Sequence, residues 1–175
     1  MKMWVFGYGS LLWNPGFEVA EQHVGVMHGY ARSFCMRSIH HRGTVEHSGL
    51  VLALDEVKDA RCEGVALRVK GGKEAETLEY LRERELISSA YLEKNLDVHL
   101  NSGEIVTAVT YVIDPYHVQY CHLELEEQAQ VIATAVGDRG PNTEYLYNTA
   151  QHLIDLGIED ADLNWLTARV KALCS

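Results

Sequence analysis

Residues 3–17 read MWVFGYGSLLWNPGF and join an apolar segment to a glycine-rich turn. Residues 3–6 are typical of a buried strand, and Gly7 and Gly9 follow it with one residue between them. Glycine can adopt positive φ angles, so that successive main-chain N–H groups can surround an anion. The stretch therefore predicts a strand followed by an anion-binding turn, which would accept a phosphate or a carboxylate equally well.

This turn does not match the known nucleotide-binding motifs. The dinucleotide fingerprint Gly-x-Gly-x-x-Gly needs a third glycine that opens a helix. This chain has Leu12 at that position, with no helical pattern after it and no Walker-type Gly-Lys-Ser/Thr. An ordinary tight turn remains the alternative. The aromatic neighbours favour the wall of a small-molecule pocket instead; they are Trp4, Phe6, Tyr8 and Trp13.

Length and composition predict one domain over residues 1–175 in a cytoplasmic protein. No apolar run approaches the roughly 20 residues that span a membrane, and no signal peptide is recognisable. The net charge of −10 argues against nucleic acid or an anionic membrane as a partner. The four cysteines are too widely spaced for a zinc or redox motif, which predicts reduced thiols; they are Cys35, Cys62, Cys121 and Cys174.

The order of predicted elements indicates an α+β fold. Short strands are predicted at 3–6, 23–29, 50–54, 64–70, 92–100 and 105–113, with Asn101-Ser102-Gly103 as a hairpin turn. Helices are predicted at 73–89, at 125–136, at 144–156 with Thr143 as its cap, and at 163–173 with Asp162 as its cap. We expect a small, partly closed mixed or antiparallel β-barrel with surrounding helices.

Glu74 and Glu85 of the 73–89 helix lie near its apolar face, and the helix dipole accounts for Glu74 because it is in the first turn. At about 100° per residue, Glu85 lies about 20° from Leu78, whereas the other glutamates of the second and third turns lie on the solvent side. Burial of an ionised carboxylate is costly unless it is paired. A salt bridge to Arg82 or Arg37 would explain Glu85 structurally, and a general acid–base role would explain it functionally.

Residues 5–11, followed by Trp13, resemble the signature of the ChaC-type γ-glutamylcyclotransferases. The resemblance extends over residues 3–147 through further motifs, namely His41-Arg42-Gly43-Thr44, Gly49-Leu50-Val51-Leu52-Ala53-Leu54, Cys62-Glu63-Gly64-Val65-Ala66, Arg84-Glu85 with Tyr91, and Asn142-Thr143-Glu144-Tyr145-Leu146. Family members often carry a proline where this chain has Ser48. That departure concerns a loop and leaves the implied chemistry unchanged.

The resemblance implies a gamma-glutamylcyclotransferase-like fold and cleavage of glutathione to 5-oxoproline and Cys-Gly, with no cofactor and no metal. It implies Glu85 as the general acid and base. The implied residues for the glutamyl half are Val5, Phe6, Gly7, Tyr8, Gly9, Ser10 and Leu11, with Tyr8 and Tyr145 as candidate hydroxyl donors. Core packing is the alternative for Tyr145, and Arg42 is a weaker candidate for the glycyl carboxylate.

Two alternatives stay open at this level. The leaving group could belong to another γ-glutamyl peptide or amine, because the turn and Glu85 would contact only the glutamyl half. The chain could also be a non-enzymatic regulator of a cation transporter, although a regulator would not need Glu85. The histidine pairs at 40–41 and 117/122 lack ligand spacing and a third partner, so we expect no metal site.

Overall fold

The structure, a computed structural model, describes residues 2–86 and 89–175. The chain forms two compact units. The first contains the chain up to Ser33 together with Ala53–Val118, and the second contains Phe34–Leu52 and Gln119–Ser175. A single domain over residues 1–175 stays a prediction, and each unit is described by itself.

A closed five-stranded barrel belongs mostly to the first unit, and residues 34–38 and 49–52 of two of its strands belong to the second. Its strands are β1 (Trp4–Gly7), β2 (Val19–Ser38), β3 (Gly49–Val69), β4 (Tyr91–Leu100) and β5 (Ile105–Ile113). They follow the order β1-β3-β2-β4-β5. Strand β1 is antiparallel to β3 and parallel to β5, and this parallel pairing closes the barrel. The predicted α+β class and small mixed barrel are confirmed, and the barrel is closed rather than partly closed.

The strands β2 and β3 are much longer than predicted. Strand β3 joins the predicted segments 50–54 and 64–70 through residues 56–61, which are mostly exposed and polar. Hydrophobic alternation does not reveal a strand whose side chains face water on both sides. By contrast, the prediction for β5 is correct at both ends. The predicted turn after β4 is also confirmed, with Gly103 at φ +95° and its N–H donating to the Leu100 carbonyl at 2.9 Å.

Two helices accompany the barrel in this unit, α1 (Ser10–Trp13) and α2 (Glu74–Glu85). Leu81 of α2 is fully buried in a cluster with Val5, Val69 and Tyr111 of the barrel. Burial of one leucine side chain contributes about 1.5–3 kcal/mol. Helix α2 ends at Glu85 rather than at residue 89, and residues 87 and 88 of the predicted helix lie outside the described residues.

The second unit is mainly helical. It contains α3 (Leu125–Thr134), α4 (Asn142–Asp155) and α5 (Ala161–Leu173), which pack against one another, and a small antiparallel pair formed by β6 (Val136–Gly137) and β7 (Gly140–Pro141). Helix α3 ends before residue 136 because that residue enters β6. Within the described residues, no helix is long and apolar enough to cross a membrane.

Both predicted helix caps in this unit are wrong. Helix α4 starts at Asn142 directly after Pro141, with no side-chain cap, so Thr143 lies inside the helix. Helix α5 starts two residues earlier than predicted, and Asp160 rather than Asp162 accepts the Leu163 N–H at 3.0 Å. Asp160 and Asp162 both precede the apolar pattern, and the sequence does not indicate which one takes the extended backbone of a cap.

Candidate functional site

The glycine turn lies at the carboxyl end of β1. The main chain of Val5 lies between β3 and β5, where it pairs with Leu67 and Val109. Val5, Phe6 and Leu11 are 0%, 1% and 6% exposed, main chain included. These three predicted binding residues therefore form the hydrophobic support of the turn and offer almost no surface to a substrate.

The expectation of positive φ angles in this turn is wrong. Gly7 ends β1, and Gly9 precedes α1 with φ −139° and ψ −120°. Close packing against this turn depends instead on Gly64 of β3, where a Cβ would lie 2.5 Å from the Gly7 carbonyl oxygen. A single helical turn, α1, begins at Ser10 and ends at Trp13, and no helix continues into residues 14–18, as expected from the sequence.

Tyr8 is held by the barrel on both its side chain and its main chain. Its hydroxyl donates to the Tyr111 carbonyl at 2.8 Å, and its own carbonyl accepts from Arg32 Nη1 at 3.2 Å. The same Arg32 nitrogen donates to the Glu63 carbonyl at 2.8 Å. The Tyr8 hydroxyl hydrogen is thus used inside the protein, which weakens the prediction that it donates to a substrate.

Glu85 is the last residue of α2, and its side chain is 14% exposed. By contrast, Glu76, Glu79 and Glu83 of the same helix are exposed, as the helical spacing predicts. Glu85 has an ion pair, but its partner is the adjacent Arg84, with 3.4 Å between Nε and Oε1. Arg82, one of the two predicted partners, binds Glu93 instead, at 3.0 and 2.9 Å.

Arg84 connects Glu85 to the glycine turn. Its side chain is 8% exposed, and its Nη2 donates to the Ser10 hydroxyl oxygen at 3.0 Å. Its Nη1 donates to the carbonyls of Asn14 at 2.6 Å and Pro15 at 3.1 Å. One guanidinium therefore spans Ser10, the segment after α1 and the carboxylate of Glu85.

The sequence analysis assigned no role to Arg84. A signal was available, because Arg84 follows the buried Leu81 by three positions and so lies about 60° from it around the helix. An inward arginine next to an inward glutamate indicates a paired site rather than two surface charges. The groups that accept hydrogen bonds from Arg84, on α1 and the following loop, could not be predicted, because they are far from Arg84 in the sequence.

Tyr111 completes the polar surroundings of Glu85. Its hydroxyl donates to Glu93 Oε1 at 2.9 Å. Burial, the hydrogen bond to Glu93 and the negative charges of Glu93 and Glu85 together raise the pKa of Tyr111. The hydrogen bond from Arg82 holds the pKa of Glu93 below its ordinary value. Tyr111 therefore stays protonated at neutral pH, and Glu85 lies close enough to act on it electrostatically.

Tyr145, the last predicted binding residue, belongs to the second unit. It is 6% exposed, its ring contacts Phe34 with 5.9 Å between centroids, and its hydroxyl accepts the Leu52 N–H at 3.1 Å. The Arg42 guanidinium lies 5.9 Å from the centre of the same ring. These contacts agree with core packing, the alternative considered for Tyr145.

Arg42 is also part of the interior of the second unit. Its side chain is 5% exposed and pairs with Glu144 at 3.4 Å, while Nη1 donates to the Pro141 carbonyl at 3.0 Å. These contacts give Arg42 a structural role within its own unit. As for metals, residues 2–86 and 89–175 contain no cluster of three or more His, Cys, Asp or Glu side chains that could hold an ion.

Comparisons with known proteins show similarity over almost the whole chain. The family model described as ChaC-like protein matches residues 3–173. An Escherichia coli K12 protein, named glutathione-specific gamma-glutamylcyclotransferase, is 40% identical over 98% of this chain and 74% of its own length. An Arabidopsis thaliana protein, gamma-glutamylcyclotransferase 2-1, is 39% identical over 91% of this chain and 78% of its own.

A solved structure has the same fold. It belongs to a yeast gamma-glutamyl cyclotransferase described as specific to glutathione, and it matches with a TM-score of 0.87 and 25% identity. The match covers 98% of this chain and 96% of the yeast chain. The predicted gamma-glutamylcyclotransferase-like fold is therefore confirmed. With a barrel of this kind and a family match from residue 3 to residue 173, the chain belongs to the ChaC-like family.

Proposed function

We propose that this protein is a lyase that cleaves glutathione into 5-oxoproline and cysteinylglycine. The observation that carries the proposal is the Arg84 guanidinium, which joins the Ser10 turn to the Glu85 carboxylate within one unit. A relative that is 40% identical over 98% of the chain and is named glutathione-specific supports the choice of substrate. The alternative of a non-enzymatic regulator does not account for this paired, largely buried carboxylate.

The reaction is an internal cyclisation. The α-amine of the glutamyl moiety attacks its own γ-carbonyl carbon, a new C–N bond closes the five-membered lactam, and the C–N bond to cysteine breaks. One proton leaves the attacking amine and one is added to the departing amine, so the reaction consumes no water. Correct orientation of two groups in one molecule can lower the barrier by about 7–11 kcal/mol.

We assign both proton transfers to Glu85. An α-amine with a pKa of about 7.7–8.0 is roughly one-tenth neutral at pH 7, so deprotonation costs only about 1 kcal/mol. Protonation of the departing amine is the harder step, because an amide nitrogen leaves poorly as an anion. A carboxyl group that takes the first proton and returns it to the leaving nitrogen contributes about 10²–10⁴-fold.

We assign recognition of the glutamyl half to the turn at residues 7–10. Its main-chain N–H groups would bind the α-carboxylate or the γ-carbonyl oxygen as negative charge develops on it. Ser10 is the residue of this turn that is not fully buried, so it is the natural contact for a ligand. Since the turn contacts only the glutamyl half, preference for cysteinylglycine must come from other residues.

The proposal also includes metal independence, a cytosolic location and no nucleic-acid partner. Four free cysteines are typical of a reducing compartment, and the net charge of −10 disfavours binding to phosphate backbones. Metal independence predicts full activity after treatment with a strong chelator. Loss of activity in chelator that one divalent ion restores would contradict it.

The direct test measures 5-oxoproline release from glutathione by the purified protein. Parallel reactions with γ-glutamylalanine and a γ-glutamylamine distinguish the leaving groups. We expect turnover of glutathione to exceed that of both alternatives. If only another γ-glutamyl compound is turned over, the proposed reaction is correct and the proposed substrate is wrong. If none of the three compounds releases 5-oxoproline, the proposed function is refuted.

A further inference from the structure

Arg84 occupies a position that the proposed reaction does not itself require. A guanidinium can only donate hydrogen bonds, whereas a serine hydroxyl has one hydrogen to donate and two acceptor sites. Arg84 Nη2 donates to Ser10 Oγ at 3.0 Å, so the hydroxyl hydrogen of Ser10 must point away from Arg84. The contact thus excludes the hydroxyl orientation that points at Arg84 and leaves Ser10 able to donate its hydrogen on its other sides.

The same guanidinium is anchored on three further oxygens. Its Nη1 lies 2.6 Å from the Asn14 carbonyl, 3.1 Å from the Pro15 carbonyl and 3.1 Å from the Tyr80 hydroxyl. Bonds from a planar, charged fork are short and directional, and an ammonium group cannot span the same set of acceptors. Arg84 therefore holds its place through the fork rather than through its charge alone.

Arg84 also contacts Glu85 Oε1, which lies 3.4 Å from Nε. With the side chains of Arg84 and Glu85 only 8% and 14% exposed, water screens this pair weakly. We propose that Arg84 is a positioning residue, which aims the Ser10 hydroxyl at the bound γ-glutamyl group and holds the Glu85 carboxylate beside it. The inference rests on the proposed function, and it assigns Ser10 a side-chain contact with the substrate.

The test is a double-mutant cycle on ligand binding. The probe is glutaryl-cysteinylglycine, which keeps the carboxylate and the γ-carbonyl of glutathione but lacks the α-amine and so cannot cyclise. Titration calorimetry gives its Kd for Ser10→Ala, for Arg84→Gln and for the double variant. We expect each single change to weaken binding about tenfold, the effect of one lost hydrogen bond to a charged group. If Arg84 acts through Ser10, the double variant binds within about twofold of Ser10→Ala.

Two results would overturn the inference. Fold-losses that multiply in the double variant would mean that Arg84 acts independently of Ser10, as a purely structural residue would. Full recovery of affinity and turnover in Arg84→Lys would mean that charge suffices without the fork. If Arg84→Gln does not fold, the cycle is run with Arg84→Lys, for which we expect the same non-additivity.

Two further measurements use a control variant and the unsubstituted protein. Glu83→Gln changes an exposed residue of the same helix, and we expect it to bind the probe within about twofold of the unsubstituted protein. If the unsubstituted protein neither binds the probe nor releases 5-oxoproline, the proposed function is wrong and the inference falls with it. If it does both and the cycle is additive, only the inference is wrong.

Discussion

Asn142 offers a prediction whose size follows from the geometry of the second unit. It is 0% exposed, and its side chain forms two hydrogen bonds with one residue, Leu50. Its Oδ1 accepts the Leu50 N–H at 2.8 Å and its Nδ2 donates to the Leu50 carbonyl at 2.8 Å, as a neighbouring strand would. Asn142→Ala deprives two buried main-chain groups of these partners. At about 1–3 kcal/mol for each, the loss is about 2–6 kcal/mol of the free energy of unfolding.

For a chain of this length, 1 kcal/mol corresponds to roughly 2–4 °C in melting temperature. The expected decrease for Asn142→Ala is therefore about 4–24 °C, measured by calorimetry and by denaturant titration. Asn164→Ala, at an exposed position of α5, is the matched control and should change stability by less than about 0.5 kcal/mol. A loss below about 1 kcal/mol for Asn142→Ala would refute the reasoning, since it would mean that water replaces both bonds.

Two further substitutions test the fold. A Cβ at Gly64 would lie 2.5 Å from the Gly7 carbonyl oxygen, so we expect Gly64→Ala to cost about 1–3 kcal/mol of stability and to raise KM for glutathione. An unchanged melting temperature and an unchanged KM would count against this close approach. Asp160→Ala removes the cap on the Leu163 N–H and should lower the free energy of unfolding by about 0.5–2 kcal/mol, whereas Asp162→Ala should change it little. Equal losses for the two variants in urea titrations would mean that Asp160 is not the cap.

Much of the barrel was predictable because its strands carry local signals. The alternation of β5 and the glycine at position 103 gave both the strand and its turn. The middle of β3 was not predictable, since residues 56–61 are mostly exposed and polar and show no hydrophobic alternation. The positive φ angles predicted for the glycines at positions 7 and 9 were wrong, because neither has a positive φ.

In the candidate site, too, the sequence predicted the features that depend on local spacing and missed those that depend on tertiary contacts. The inward placement of Glu85 followed from helical spacing, and its 14% exposure agrees with that prediction. Its ion-pair partner did not follow, because Arg84 reaches Glu85 and the distant Ser10 through tertiary contacts. The role of Tyr145 as a substrate ligand also depends on tertiary structure. Its hydroxyl contact with the Leu52 N–H supports the packing alternative instead.

Turnover of glutathione by Glu85→Gln tests the central claim most directly. The amide keeps the shape of the carboxyl group but cannot accept and return a proton, so we predict that kcat for 5-oxoproline release falls by at least about 10²-fold. Binding of glutaryl-cysteinylglycine should persist, and Glu83→Gln, on the exposed side of the same helix, should remain active. Near-normal turnover by Glu85→Gln, or an equal loss in Glu83→Gln, would contradict the assignment of Glu85 as the proton-transferring group.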